Sequence, residues 1–332
     1  MDLSHASVLV TGADGFIGSH LVEALYKKCG KLTAFCCYNS FNSFGNLDRL
    51  LNDLGAVNFI SGDVRDPFFC AGACKGVDIV FNLAALIAIP YSYIAPQSYI
   101  ETNVSGAMNI CQAALANGAS RVIQMSTSEV YGTAEYVPID EGHPLRPQSP
   151  YSASKIGADS VALSFWHSFE LPVIIARPFN AYGPRQSARA FIPTIITQIA
   201  SGAGCVKLGD TAPTRDMNYV KDICAALIEI AGCDAAVGEV VNIGTGSEVS
   251  IKDVFEKIRD IMGAGGIQIE HDEQRMRPRG SDVYRLVCDN SKLRRLTGFS
   301  PSYSFDGGLR ETIKWFMKDG NINGYKSDIY NI

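Results

Sequence analysis

The chain has 332 residues, 47% of them hydrophobic, and a formal net charge of -5. That length fills one large or two moderate cores without disulfide or metal staples. The acidic balance gives no general positive field for nucleic acid or an anionic membrane, so any anionic small molecule must meet a local positive site. The ten cysteines are scattered through apparent strands and helices, Cys36, Cys37, Cys111 and Cys288 among them, which is the pattern of reduced buried thiols. Cys70 and Cys74 stand four apart, but no second pair or nearby histidine completes a zinc set, so no metal is expected. No apolar run reaches about 18 residues, and no basic stretch with an apolar core opens the sequence. The expected location is the cytoplasm.

In chain order, apolar runs at Ser7 to Val10, Leu32 to Tyr38, Val57 to Ile60, Ile79 to Leu83, Arg121 to Met125 and Val173 to Ala176 predict strands. Between them, Gly15 to Lys27, Ser98 to Asn117 and Ser149 to Phe169 carry helical periodicity. The alternation predicts an α/β fold with a doubly wound parallel sheet. After Arg177 the pattern loosens around Pro178, Gly183, Pro184, Pro193, Gly202, Gly204 and Pro213, which predicts a smaller, loop-rich part. Glu239 to Ile243 should return to the sheet, and Ile251 to Met262 and Gly307 to Met317 should form later helices. The expected division is residues 1–177 plus about 217–246 for one body, and about 178–216 and 247–325 for the other.

The first strand runs into Thr11-Gly12-Ala13-Asp14-Gly15-Phe16-Ile17-Gly18 and then a helix. Gly12 and Gly15 let the backbone approach a pyrophosphate, Gly18 permits close packing of helix on sheet, and the helix N-terminus favours phosphate charge. A glycine triplet is a weak signal alone, but placed after the first strand of this pattern it predicts a dinucleotide site. The second strand ends in Cys37-Tyr38-Asn39-Ser40, with neither a carboxylate nor a basic residue up to Asn46. Asp63 should lie at the end of the third strand near an adenine, or alternatively cap the turn from Val64 to Pro67. Leu83, Ala84 and Ala85 present small residues where a cofactor backbone would pass.

Ser149 and Pro150 are start signals for the helix that carries Tyr151 and Lys155, whose spacing of four puts both on one face. A nearby ammonium favours phenolate over phenol, so Lys155 is expected to lower the Tyr151 pKa and to hold a ribose. Met125 to Gly132 closes the fifth strand with Ser126, Thr127, Ser128 and Glu129, at the edge where open sheets bind ligands. Thr127 can hydrogen-bond a substrate hydroxyl. Glu129 is either a solvated surface group or a general base.

These stretches, with Arg177 to Pro184, Arg215 to Val220 and Arg277 to Leu286, resemble the extended short-chain dehydrogenases that act on nucleotide sugars, over nearly the whole chain. Tyr38 to Ser43, Pro138 to Glu141 and Gln186 to Arg189 are similar to the 4,6-dehydratases of legionaminic-acid biosynthesis, which convert a nucleotide-linked N-acetylglucosamine to its 4-keto-6-deoxy derivative. The resemblance implies NAD as cofactor, held by Gly12, Asp14, Gly15, Phe16, Ile17, Gly18, Tyr38, Asn39, Asp63, Val64, Leu83, Ala84, Ala85, Asn103, Ser126, Tyr151 and Lys155. It implies catalysis by Thr127, Ser128, Glu129, Tyr151 and Lys155. It places Asn180, the segment around Arg189, Arg215, Arg279 and Asp282 on the nucleotide diphosphate, and it pairs two subunits through the helices at 98–117 and 149–169. One departure matters. Dehydratases of glucose nucleotides usually carry an Asp before the catalytic Glu, and Ser128 stands there. The Ser-Glu pair also occurs in uronic-acid decarboxylases of the family, so decarboxylation and 4-epimerisation stay open, as does a non-catalytic NAD-sensing role.

Overall fold

The computed structural model describes residues 2–276, 278, 283–318, 320–327 and 329–330. The predicted runs form strands β1 (Ser7–Thr11), β2 (Lys31–Cys37), β3 (Asn58–Gly62), β4 (Ile79–Asn82), β5 (Arg121–Met125) and β6 (Val173–Pro178), joined by β7 (Val240–Ile243). They make one seven-stranded sheet in the order β7-β6-β5-β4-β1-β2-β3, every pair parallel. The reversal of order falls between β1 and β4, so the crevice beyond their carboxyl ends is the natural ligand site of the sheet.

Both faces are covered, as a parallel sheet requires. One apolar layer packs Val8, Val10, Ala34 and Ile174 against α1 (Phe16–Leu25) and the helix at Val220–Gly232. The other packs Leu9, Phe35, Val80 and Val173 beneath α2 (Pro67–Ala73), α3 (Gly106–Ala116) and α4 (Pro150–Phe169). The expected helix from Ser98 is interrupted: a regular turn at Pro96–Tyr99 passes into a π-helix over Ile100–Ser105, and regular turns resume at Gly106. Cys70 and Cys74 lie in the second layer, where burial pushes their thiols up to about 12 and about 11 and keeps them protonated.

After β6 the chain builds three small sheets. Asn180–Tyr182 pairs with Met217–Tyr219, Cys205–Leu208 with Gln268–His271, and Thr214–Arg215 lies between Val249–Ser250 and Arg285–Leu286. The helix α5 (Phe305–Met317) packs back on this part. Among the described residues no helix is long and apolar enough to cross a membrane.

Candidate active site

A cavity of about 890 Å³ opens at the carboxyl ends of the strands and runs from the glycine loop to β5 and on to the small sheets. Gly12, at φ +63°, shows why the loop is glycine-rich: a Cβ there would lie 2.9 Å from the backbone of Ala84. A Cβ on Gly18 would come within 2.1 Å of the Gly12 carbonyl oxygen. Neither position admits a side chain, so glycine is what keeps the tight strand-turn-helix corner that a dinucleotide pyrophosphate requires, and the loop fits that group. Thr11 fixes the neighbouring strand end, since its Oγ1 donates to Asn82 Oδ1 at 2.7 Å and accepts from the Ala84 N–H at 3.1 Å.

The structure brings most of the expected cofactor contacts to one wall: Gly12, Asp14, Gly15, Phe16, Ile17, Gly18, Asp63, Val64, Leu83, Ala84, Ala85 and Ser126 all line the cavity. Three expectations need correction. Tyr38 is 70% exposed and is not among the lining residues, where Cys36 and Cys37 stand instead. Asn39 spends its amide on its own loop, donating to Ser43 O and accepting from Phe41 N and Ser43 N. Asn103 sits behind the cavity: its Oδ1 accepts from Leu86 N, and its Nδ2 donates to Leu86 O and Ser154 Oγ, which ties the loop after β4 to α4. Asp63 caps the turn that follows it, its Oδ1 accepting from the Arg65 N–H at 2.9 Å, while Asp66 caps α2. Asp63 also binds the Arg65 side chain through both carboxylate oxygens, Nε at 3.0 and 2.9 Å and Nη2 at 2.5 Å, which holds its own pKa below the usual carboxylate range. Arg65 also lines the cavity. The search for a basic residue along β2 missed it because it comes from the end of β3.

At the other end α4 starts as predicted, with Ser149 as N-cap in a reciprocal pair with Ser152 and Pro150 in the first turn. Its buried face carries Tyr151, Lys155 and Asp159 to the end of β5, where Ser128–Tyr131 forms a single helical turn capped by Thr127. All of Ser126, Thr127, Ser128, Glu129, Tyr151 and Lys155 line the cavity. Tyr151 hydrogen-bonds Thr127 and lies within the field of Glu129. Lys155 Nζ donates to the Met125 carbonyl at 2.5 Å. Behind them, Asp159 accepts from Ser126 Oγ at 2.6 Å and pairs with buried Arg177 at 3.0 Å. Sequence reasoning had not singled out this support.

The electrostatics reverse one expectation. Burial raises the Tyr151 pKa, the Thr127 hydrogen bond opposes that, and the Glu129 charge adds to the rise. Lys155 does not lower it, because its ammonium is turned to the Met125 carbonyl and is itself pushed down to about 8 by burial, with Asp159 acting the other way. In the chain alone Tyr151 therefore holds its proton.

On the remaining wall stand Asn180, Arg189 and Arg215, together with Gln186 and Arg275. Asn180 Oδ1 and Gln186 Oε1 are buried without a hydrogen-bond partner among the described residues, an arrangement that a polar ligand would satisfy. Arg215 is 5% exposed, and Arg189 is exposed at the mouth. Arg275, held by Asp272 at 2.9 Å, follows a strand that sequence patterning did not reveal. Arg279 and Asp282 lie outside the described residues.

Residues 9–312 match the family model described as GDP-mannose 4,6 dehydratase. The chain belongs to this family. Among its relatives is the low-salt glycan biosynthesis protein Agl12 of Haloferax volcanii, 35% identical over 94% of this chain and 99% of that protein. The structure of a dTDP-glucose 4,6-dehydratase from Streptomyces venezuelae, solved with NAD and TYD bound, superposes with a TM-score of 0.84 at 32% identity, over 94% of this chain and 97% of that one. A UDP-N-acetylglucosamine 4-epimerase from Methanobrevibacter ruminantium M1, in complex with UDP-N-acetylmuramic acid, gives 0.84 at 33% identity, over 94% and 98%. Membership confirms the doubly wound α/β fold and the family resemblance.

Proposed function

We propose that this chain is an NAD-dependent nucleotide-sugar 4,6-dehydratase whose substrate is a nucleoside-diphosphate N-acetylglucosamine. The observation that carries the reading is the placement of Glu129 beside Tyr151 in one cavity. Dehydration needs a second base near the sugar, which epimerisation at C4 does not. The N-acetyl substituent is supported by the likeness of Gln186 to Arg189 to the legionaminic-acid enzymes, since Gln186, Ser187 and Arg189 line the substrate wall. NAD is supported by the open cradle at Gly12 and by its presence in the solved dehydratase relative. We assign NAD to the body made of residues 1–177 and about 217–246, and the nucleotide sugar to about 178–216 and 247–325. The exposed apolar residues Ile94, Ile100 and Met108 beside α3 suit a homodimer through that face.

NAD would be held by the glycine loop and Lys155 and, when bound, would supply the two-electron oxidant for C4 of the sugar, the same two electrons for C6 and a positive charge to offset burial, so that no external oxidant is consumed. Thr127 orients the Tyr151 hydroxyl, which loses its proton to solvent once positive charge offsets its burial and, as phenolate, takes the proton of the C4 hydroxyl. Lys155 holds the nicotinamide ribose. The C4 ketone acidifies the C5 proton, and the Glu129 carboxylate removes it. Ser128, 2% exposed, has no proton acidic enough for the departing C6 hydroxyl, so Glu129 hands on the proton it has just taken. Asn180, Arg189 and Arg215 hold the diphosphate.

Ser128 and the likeness to the epimerase structure favour 4-epimerisation as the second reading. A panel of UDP-, GDP- and dTDP-linked N-acetylglucosamines and glucoses, with products weighed by mass spectrometry, separates the two. The dehydratase yields a product lighter by one water. A product of unchanged mass with C4 inverted would refute it.

A further inference from the structure

A second cavity, of about 880 Å³, lies on the far side of α1 from the glycine loop, closed by α5 and the loop that follows it. Its walls gather five cations, Arg49, Arg185, Lys221, Lys314 and Lys318, against two carboxylates, Glu23 and Glu311. For a chain of net charge -5 this is a strong local reversal of sign. Among the described residues only Arg185 of the five is in an ion pair, with Glu23. Arg49 donates to the neutral acceptors Asn321 Oδ1 and Gly320 O, so its charge is placed but not compensated. Lys221, Lys314 and Lys318 are exposed at the rim.

Arg185 is the centre of the arrangement. Its side chain is 10% exposed, and Nη2 meets Glu23 while Nη1 is buried with no hydrogen-bond partner among the described residues. Its backbone stands at φ +66°, in the left-handed region that a residue with a Cβ adopts at a conformational cost. A strained residue that buries an unmatched guanidinium nitrogen calls for a ligand that matches it. His20, buried beside this group, is held neutral, its pKa pushed down to about 3 by burial and then by the charges of Arg185 and Lys221. The same cavity offers aromatic rings at Tyr219, Trp315 and Tyr325.

We infer that this cavity is a second binding site, separate from the active site, for a small molecule bearing a multiply charged phosphate group. Arginine and lysine converging in a half-enclosed space are the recognition chemistry of phosphate, and the guanidinium supplies paired donors for it. The site has a direct route to the active site. Arg185 faces this cavity, whereas Gln186 and Ser187, the next residues in the chain, line the main one. On α1, Phe16 and Ile17 line the main cavity, and His20 and Glu23 line the second.

The test uses the full chain saturated with NAD and UDP, so that the main cavity is filled, and titrates pyrophosphate and ATP by calorimetry. At least one probe binds to the native chain and changes the emission of the tryptophans, of which Trp315 is one of two in the sequence. ATP tighter than pyrophosphate engages the rings as well as the phosphates, and equal affinity assigns recognition to the phosphates alone; either supports the site. Replacing Lys221, Lys314 and Lys318 together by Gln, all exposed and outside the catalytic cavity, weakens that binding roughly tenfold or more and leaves basal turnover unchanged. No heat with either probe, or equal affinity in the triple variant, would overturn the inference. Both readouts are independent of the reaction catalysed, so a failed dehydratase assay leaves this test intact.

Discussion

Around Tyr151 and Lys155, 7% and 3% exposed, buried polar side chains hold one another: Thr127 and Tyr151, Ser126 and Asp159, Asp159 and Arg177. At the opposite end of the same cavity, Asp63 and Arg65 have side chains 37% and 51% exposed and pair with each other, with Glu101 a looser partner of Arg65 at 3.9 Å. One end positions reacting atoms and is over-determined by burial. The other, which we assign to the adenosine of the cofactor, offers backbone, small residues and a solvent-screened ion pair. Precision is spent where protons must move, and the fold leaves the binding end adjustable.

This contrast also explains which parts were legible in the sequence. Tyr151 and Lys155 share one helix turn pair, and Ser126 to Glu129 are consecutive, so a local motif specifies their placement. The glycine loop was legible for the same reason. Arg65 and Asp63 stand near the end of β2 although they follow β3 in the chain, and that neighbourhood exists only once the strands pair. Asn103 looked like a ligand contact, and folding turned it to the loop at Leu86. The charge of Lys155 pointed to an acidified Tyr151, but the helix face says nothing about Met125 O, which captures the ammonium. The second cavity was invisible because α1, the Arg185 loop and α5 meet only in the folded chain.

If the catalytic end is as tightly specified as its hydrogen bonds imply, Tyr151→Phe removes the proton acceptor at C4 and lowers kcat roughly a thousandfold or more with little change in NAD binding, as steady-state kinetics and calorimetry would show. Its support is the next to break. Asp159→Asn leaves Arg177 buried and unpaired, and should cost about 3 kcal/mol, seen as a fall in the midpoint of denaturant unfolding. Lys155 gives the pH dependence of the same region. Its folded pKa, near 8, lies below its ordinary 10.5, so the ammonium is carried at a cost below pH 8 that is relieved as pH rises from about 8 to 10.5. Lys155→Met removes that cost and one hydrogen bond. It should stabilise the cofactor-free chain by about 1 kcal/mol at pH 7, and the gain should shrink toward pH 10.5 while activity is lost. A variant less stable than the native chain at pH 7 would show that the Met125 contact outweighs burial.

The loosely held end should yield the smallest effect. Arg65 is a cation that lines the cavity near the end of β2, and Asp63 occupies it. NAD should therefore bind better than NADP, and Asp63→Asn should free Arg65 and narrow the preference by only a few fold, in keeping with an exposed pair. Competitive binding of the two cofactors measures it; tighter binding of NADP by the native chain would contradict the assignment.

The central claim is that Glu129 is the base that removes the C5 proton. Turnover in deuterated water, followed by mass and nuclear magnetic resonance of the product, tests it most directly. The native enzyme should give a product lighter by one water with solvent deuterium at C5. Glu129→Gln should slow its release roughly a hundredfold while the cofactor stays reduced. A product that keeps its mass with C4 inverted and no deuterium at C5, or a Glu129→Gln variant that eliminates water at the native rate, would contradict it.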